Sequence, residues 1–178
     1  MTSEIGTFRL SLPGPMLRRG FWLYVWKAVT AEGQELLYVG RTGDNSSPNA
    51  SPPYIRMGQH LGSMKNQNAL RRNLVNQGVE PETCNTFELV AHGPLHPEVV
   101  KPKDFDHSDQ AVRLQLMEEH LPLRNIVGAM EKRLERDLRA ARYSVMNVVK
   151  WKHDVDDETW APVRSAFAND FPRLKELG

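Results

Sequence analysis

A mixed α/β (α+β) domain, with a small three-stranded antiparallel sheet flanked by helices and an additional C-terminal helix, is the fold class that three patterns in this sequence predict. The aromatic and β-branched run Phe21 to Val29 is followed, after the turn residues Ala31-Glu32-Gly33, by a second apolar run, Glu35 to Gly40, and the pair reads as a β-hairpin. An alternating segment, Thr83 to Ala91, supplies a third strand. Apolar residues at helical spacing then dominate the second half of the chain. With 178 residues, 40% of them hydrophobic and 25% charged, the sequence suits one globular domain with its own core.

Element by element, residues 1–20 carry Pro13 and Pro15 around Gly14 and one short alternating piece, Thr7 to Leu12, and read as an arm or edge strand. Residues 21–150 form the main domain. Arg41 to Pro53 is an irregular loop, because Pro48, Pro52 and Pro53 forbid regular structure. Tyr54 to Gln77 is expected to be helical, with Ile55, Leu61, Met64, Leu70 and Leu74 on one side, a break near Gly62 and a stop at Gly78. His92 to His107 reads as a proline-containing insertion. Ser108 then caps a helix to about Leu121, Pro122 interrupts it, and Leu123 to Tyr143 resumes with Ile126, Met130, Leu134 and Leu138 as its apolar face. Residues 151–178 form a helical extension packed on the same domain, with Asp156 and Asp157 at its N-cap and a buried stripe of Trp160, Val163, Phe167 and Phe171.

A formal charge of +1 excludes a uniformly basic nucleic-acid binder, so any basic surface must be local. The single cysteine, Cys84, cannot form an intrachain disulfide, and the start MTSEIGTFRL lacks the basic and apolar regions of a secretory signal. The longest apolar run, Phe21 to Trp26, is strand-length. These features predict a soluble, cytoplasmic protein with no membrane partner.

The residues able to carry chemistry fall in a definite order. The hairpin puts Tyr24 and Tyr38 on neighbouring strands, and the loop after Gly40 leads into a helix bearing Arg56 and His60 on one face. A later helix supplies Glu131, and Asn147 follows it, so a carboxylate and an amide can complete a cluster around a phosphate. On these residues the chain resembles the GIY-YIG nuclease family. Trp22-Leu23-Tyr24 and Tyr38-Val39-Gly40 match its two tripeptides, with Trp22 in place of the first glycine. Arg56-Met57-Gly58-Gln59-His60 is similar to its Arg-x-x-x-His helix, and Glu131 and Asn147 to its late glutamate and asparagine.

The resemblance implies a metal-dependent endonuclease that hydrolyses phosphodiester bonds in DNA, with Tyr24, Tyr38, Arg56, His60 and Glu131 as catalytic residues and Gly40, Arg41 and Asn147 at the substrate. One Mg²⁺ or Mn²⁺ on Glu131 would polarise the scissile phosphate, and Arg56 would stabilise charge on its oxygens. Tyr24 would deprotonate the attacking water, its phenolate favoured by Arg56 and the metal. Tyr38 and His60 would orient Tyr24 or bond a phosphate oxygen, Gly40 would admit substrate close to the backbone, and Asn147 would brace the site. A protein partner or a homodimer would add specificity.

Each residue alone has a plainer reading. Strand tyrosines usually pack in sheets, and an Arg and His four apart usually sit on an exposed helix face. Glu131 could belong to a solvated charged face, leaving Glu119 and Glu135 as alternative ligands. Arg133, Arg136, Arg139 and Arg142 could track a phosphate backbone or simply be solvated, and Asp154 to Glu158 suits helix capping better than a second metal. His92, His96, His107 and His120 have no ligand spacing. The second functional class is a catalytically inactive nucleic-acid-binding or protein-interaction module that retains the fold. Convergence of Tyr24, Arg56, His60 and Glu131 on one cleft separates the two.

Overall fold

Both sets of alternating side chains along Phe21–Val29 (β1) are apolar, so the strand needs cover on each face. In the computed structural model, which describes residues 5–63, 68–104, 106 and 108–177, β1 is the central strand. Glu35–Arg41 (β2) and Thr86–His96 (β3) pair with it antiparallel on either side, in the order β2-β1-β3. Phe21, Leu23 and Val25 face a core that includes Val127, Met130, Leu134 and Leu138 of the long helix Gln110–Ala140 (α3) and Trp160, Val163 and Phe167 of Asp157–Phe167 (α4). Tyr24, Trp26 and Ala28 face the opposite way, toward Leu70 and Leu74 of Ala69–Asn76 (α2) and Met57 and Leu61 of Pro53–Leu61 (α1). Among the described residues no helix is long and apolar enough to cross a membrane.

Several boundaries differ from the sequence expectation, each for a physical reason. The piece Thr7 to Leu12 forms no strand; from Ile5 onward the arm is exposed, with one 3₁₀ turn at Gly14–Leu17. The third strand starts at Thr86 and runs on to His96, through part of the expected insertion. It does so by bulging: Leu23 pairs with His92 but Phe21 with His96, and Gly93, at φ +149°, makes room for Trp22, whose ring atom Cδ2 would lie 2.9 Å from a Cβ there. The break expected near Gly62 is present: Tyr54–Gln77 holds two helices, α1 and α2, with α1 ending at Leu61, and Met64 lies outside the described residues, as does His107. Gly78 ends α2 at φ +75°, where a left-handed residue closes the last turn.

Asp109 rather than Ser108 caps α3, its Oδ1 accepting from the backbone N–H groups of Ala111 and Val112 at 3.0 and 3.2 Å. The helix then passes through Pro122 without interruption, about 46 Å of continuous helix. Pro122 is exposed, so the carbonyl its ring deprives of a donor can be hydrated, and buried residues on either side, from Leu116 to Leu138, hold the axis. The buried stripe uses Val127 where Ile126 was expected, and Ile126 is exposed.

The outer edge of β2 is closed by the chain leaving α3. Ser144 O accepts from Leu37 N–H and Met146 N–H donates to Leu37 O, both at 2.8 Å. The Asn147 side chain continues this ladder: its Oδ1 accepts from Val39 N–H at 2.9 Å and its Nδ2 donates to Val39 O at 2.8 Å. Asn147→Ala leaves both backbone groups without that partner and is expected to cost about 1–3 kcal/mol, measured by urea denaturation.

Candidate active site

A polar cleft of about 620 Å³ opens where β2 ends, and it is lined by Tyr24, Tyr38, Gly40, Arg41, Arg56, His60 and Glu131. Seven of the eight residues singled out from sequence therefore share one cleft. The eighth, Asn147, does not line it, because its amide is spent on Val39. Glu119 is exposed and Glu135 pairs with Arg139 outside the cleft, so neither replaces Glu131.

Tyr24 and Tyr38 project from adjacent strands on the face covered by α1 and α2. Gly40 lies directly across from Tyr24, and a Cβ there would stand 2.6 Å from Tyr24 Cζ and Oη. The missing side chain thus makes room for the tyrosine ring, while the Gly40 backbone lines the cleft. One helical turn separates Arg56 and His60 on α1, so both reach the same side. His60 packs on both tyrosines, with ring centroids at 5.7 and 5.1 Å, and its Nε2 lies 2.6 Å from Tyr24 Oη.

Burial sets the protonation of this trio. It raises Tyr24 well above the ordinary phenol value, with Tyr38 adding to the effect, and raises Tyr38 to about 12. It lowers His60 to about 4, helped by the Arg56 charge. Arg56 opposes the Tyr24 shift, but burial outweighs it. With the imidazole neutral, the Nδ1–H tautomer of His60 accepts the Tyr24 hydroxyl hydrogen bond at Nε2, whereas the Nε2–H tautomer donates to the phenol oxygen.

The opposite wall carries charge. Glu131 reaches the cleft from α3 and meets Arg41 from the end of β2, with Arg41 Nε 3.1 Å from Glu131 Oε2. Desolvation raises the Glu131 carboxyl to about 7 even though Arg41 and Arg56 pull the other way. Its negative charge is therefore only partly compensated. Across the cleft, Arg56 Nη2 donates to Asp44 Oδ1 at 2.6 Å. Asp44 was not singled out from sequence. It sits in the Gly and Ser-rich loop with no motif of its own, and is fixed by tertiary bonds, its carbonyl lying 2.8 Å from Nε2 of the fully buried His120.

Trp151 was also missed, because it follows the segment that carries the motifs. Its indole lies under two guanidiniums, Arg41 at 4.7 Å and Arg124 at 5.2 Å, and its Nε1 donates to Asn125 O at 3.1 Å. Gly128 of α3 permits this position, since a Cβ there would come within 2.6 Å of Trp151 Nε1. The signal available in the sequence was this glycine inside a long helix. Arg133 pairs with Asp137 and Asp157, Arg136 with Asp137 and Arg139 with Glu135, and none of these arginines lines the cleft. Asp156 caps α4 through Thr159 N–H at 2.8 Å.

Among the described residues no group of three or more His, Cys, Asp and Glu side chains is placed to hold a metal ion. The carboxylates lining the cleft are those of Glu131 and Asp44. Mg²⁺ and Mn²⁺ are commonly held through one or two carboxylates with water and phosphate completing the shell, whereas zinc sites draw on Cys and His. Glu131, partly exposed in the cleft with its charge only partly compensated, is the residue that could contribute to such a site.

Gly40→Ala drives the Tyr24 ring from its place and is expected to destabilise the fold by about 1–3 kcal/mol in chemical denaturation. Glu131 gives a pH signature. Because its folded-state pKa is raised, its contribution to stability is complete below about 4.5 and lost as pH rises through about 7. Glu131→Gln should thus be more stable than the native chain at pH 8.5, by on the order of 3 kcal/mol, with the gain fading as the pH approaches 4.5. Urea titrations of both proteins across that range measure it, and contributions from His60 cancel in the difference. Set against known proteins, the chain matches no family model, no curated protein and no solved structure.

Proposed function

We propose that this protein is a metal-dependent endonuclease of the GIY-YIG kind, hydrolysing phosphodiester bonds in DNA in the cytoplasm. The observation that carries the reading is the meeting of Tyr24, Tyr38, Arg56, His60 and Glu131, from β1, β2, α1 and α3, in one cleft. A second supports it: although the net charge is only +1, Arg41, Arg56 and Lys150 line the cleft, and Arg124 stands beside it over Trp151. Against Asp44 and Glu131 in the same lining, this leaves a small local excess of positive charge, which supports a polyanionic substrate.

In this mechanism His60 accepts the Tyr24 hydroxyl proton as the tyrosine oxygen takes one from the attacking water. Tyr38 packs against His60 and keeps the ring in place. Arg56 binds a nonbridging phosphate oxygen and offsets the charge that develops there. Glu131, with Asp44 nearby in the cleft, would hold the Mg²⁺ or Mn²⁺, which supplies Lewis-acid stabilisation of the phosphate when bound. Arg41 balances the Glu131 carboxylate and is itself held over Trp151.

One observation favours the other reading, a non-cleaving nucleic-acid-binding or protein-interaction module: Arg41 and Arg56 already hold carboxylates. Labelled single-stranded, duplex and branched DNA, incubated with and without Mg²⁺ or Mn²⁺, decides between them. Metal-dependent cleavage is expected, lowered at least about 100-fold by Tyr24→Phe or His60→Ala and about 1,000-fold by Glu131→Ala. Absence of cleavage on every substrate, with DNA binding unchanged in the variants, would leave only the module.

A further inference from the structure

We infer that the guanidinium of Arg56 is a phosphate seat occupied by the protein's own Asp44, so that a phosphate group binds by displacing this carboxylate. The inference rests on the nuclease reading only in assigning that phosphate to a nucleic acid.

The argument begins with how the two side chains meet. A guanidinium binds an oxyanion best through two parallel N–H donors, and Nε with Nη2 is such an edge. Arg19 shows it in this same protein, where Nε and Nη2 take the two oxygens of Glu98. Arg56 has only half of that arrangement. Its Nη2 donates to Asp44 Oδ1 at 2.6 Å and its Nη1 to Gln59 Oε1 at 3.0 Å, while its Nε is buried with no acceptor.

Asp44 does not supply the second bond: its other oxygen is turned to Ser47, accepting from Ser47 Oγ at 2.8 Å. Nor can its backbone easily shift, being held by Asn49 through Asp44 N–H and by His120 at the carbonyl, each at 2.8 Å. The carboxylate is thus a one-handed occupant of a two-handed site. A tetrahedral phosphate has the oxygens to satisfy both Nε and Nη2, and the seat lies in the cleft beside Tyr24 and His60. Asp44 therefore sets selectivity: a monoanion offering one oxygen gains nothing by displacing it, and a phosphate gains one bond.

The test follows the Arg56 Nε–H resonance by NMR, identified by its loss in Arg56→Gln, while inorganic phosphate is added to the native chain and to Asp44→Asn and Asp44→Ser. The expected result is a phosphate Kd at least fivefold lower in both Asp44 variants, with the Nε–H signal moving downfield as a bond forms. In the native chain the Asp44 carboxyl carbon signal should move in step with it, a readout that needs no variant to fold. A Kd within twofold of native, or a native titration in which only one of the two signals moves, overturns the proposal.

A second arm uses labelled duplex DNA without divalent cation. Freed of its internal counterion, Arg56 should steepen the salt dependence of binding by about one unit in Asp44→Asn. That increment should vanish in the Asp44→Asn/Arg56→Gln double variant, and an increment that persists there overturns the proposal. If phosphate behaves as expected and no form binds DNA, the seat stands for a free phosphate and the nuclease reading falls.

Discussion

Burial of β1 on both faces is the constraint from which the rest of the molecule follows. One face demands α3 and α4, the other α1 and α2, and the strand is left as the middle of three. It also places a tyrosine hydroxyl where water is scarce. A buried hydroxyl needs a partner, and His60 is the one that α1 delivers. The same desolvation that holds Tyr24 and Tyr38 protonated holds His60 neutral, so one physical cause keeps all three uncharged.

The charged wall obeys a different logic. Arg41 with Glu131 and Arg56 with Asp44 are paired across a polar opening, and Arg41 and Arg124 share one indole. Crowding shows in Arg124, which burial and then the Arg41 charge lower below the usual guanidinium value. Such a wall is costly to assemble, because its charges are partly desolvated and only partly matched. Sites that act on charged substrates accept this cost, since groups fully satisfied in the resting protein have little left to offer a ligand.

What the sequence made legible were features with a period or a motif. The hairpin was readable because Phe21–Val29 and Glu35–Arg41 are rich in strand formers around a turn, and the C-terminal helix because Trp160, Val163 and Phe167 repeat behind an aspartate cap. Tyr24, Tyr38, Arg56, His60 and Glu131 were legible because their order along the chain is distinctive. Features decided by tertiary contact were not. Pro122 carries a local stop signal that packing on either side overrides, and Gly93 turns an expected insertion into a continued strand by yielding to Trp22. Asp44 and Trp151 lack any local pattern, and their placement comes from His120 and Gly128, residues 76 and 23 positions away along the chain.

The Asn147 amide has a meaning beyond the strength of two hydrogen bonds. An open strand edge invites another chain to add itself, which is how many folded proteins come to polymerise. Here backbone pairing at Leu37 and a side-chain amide at Val39 occupy the outer edge of β2, so the sheet cannot grow in that direction from one molecule to the next. Strand addition between copies is therefore blocked along this stretch of β2.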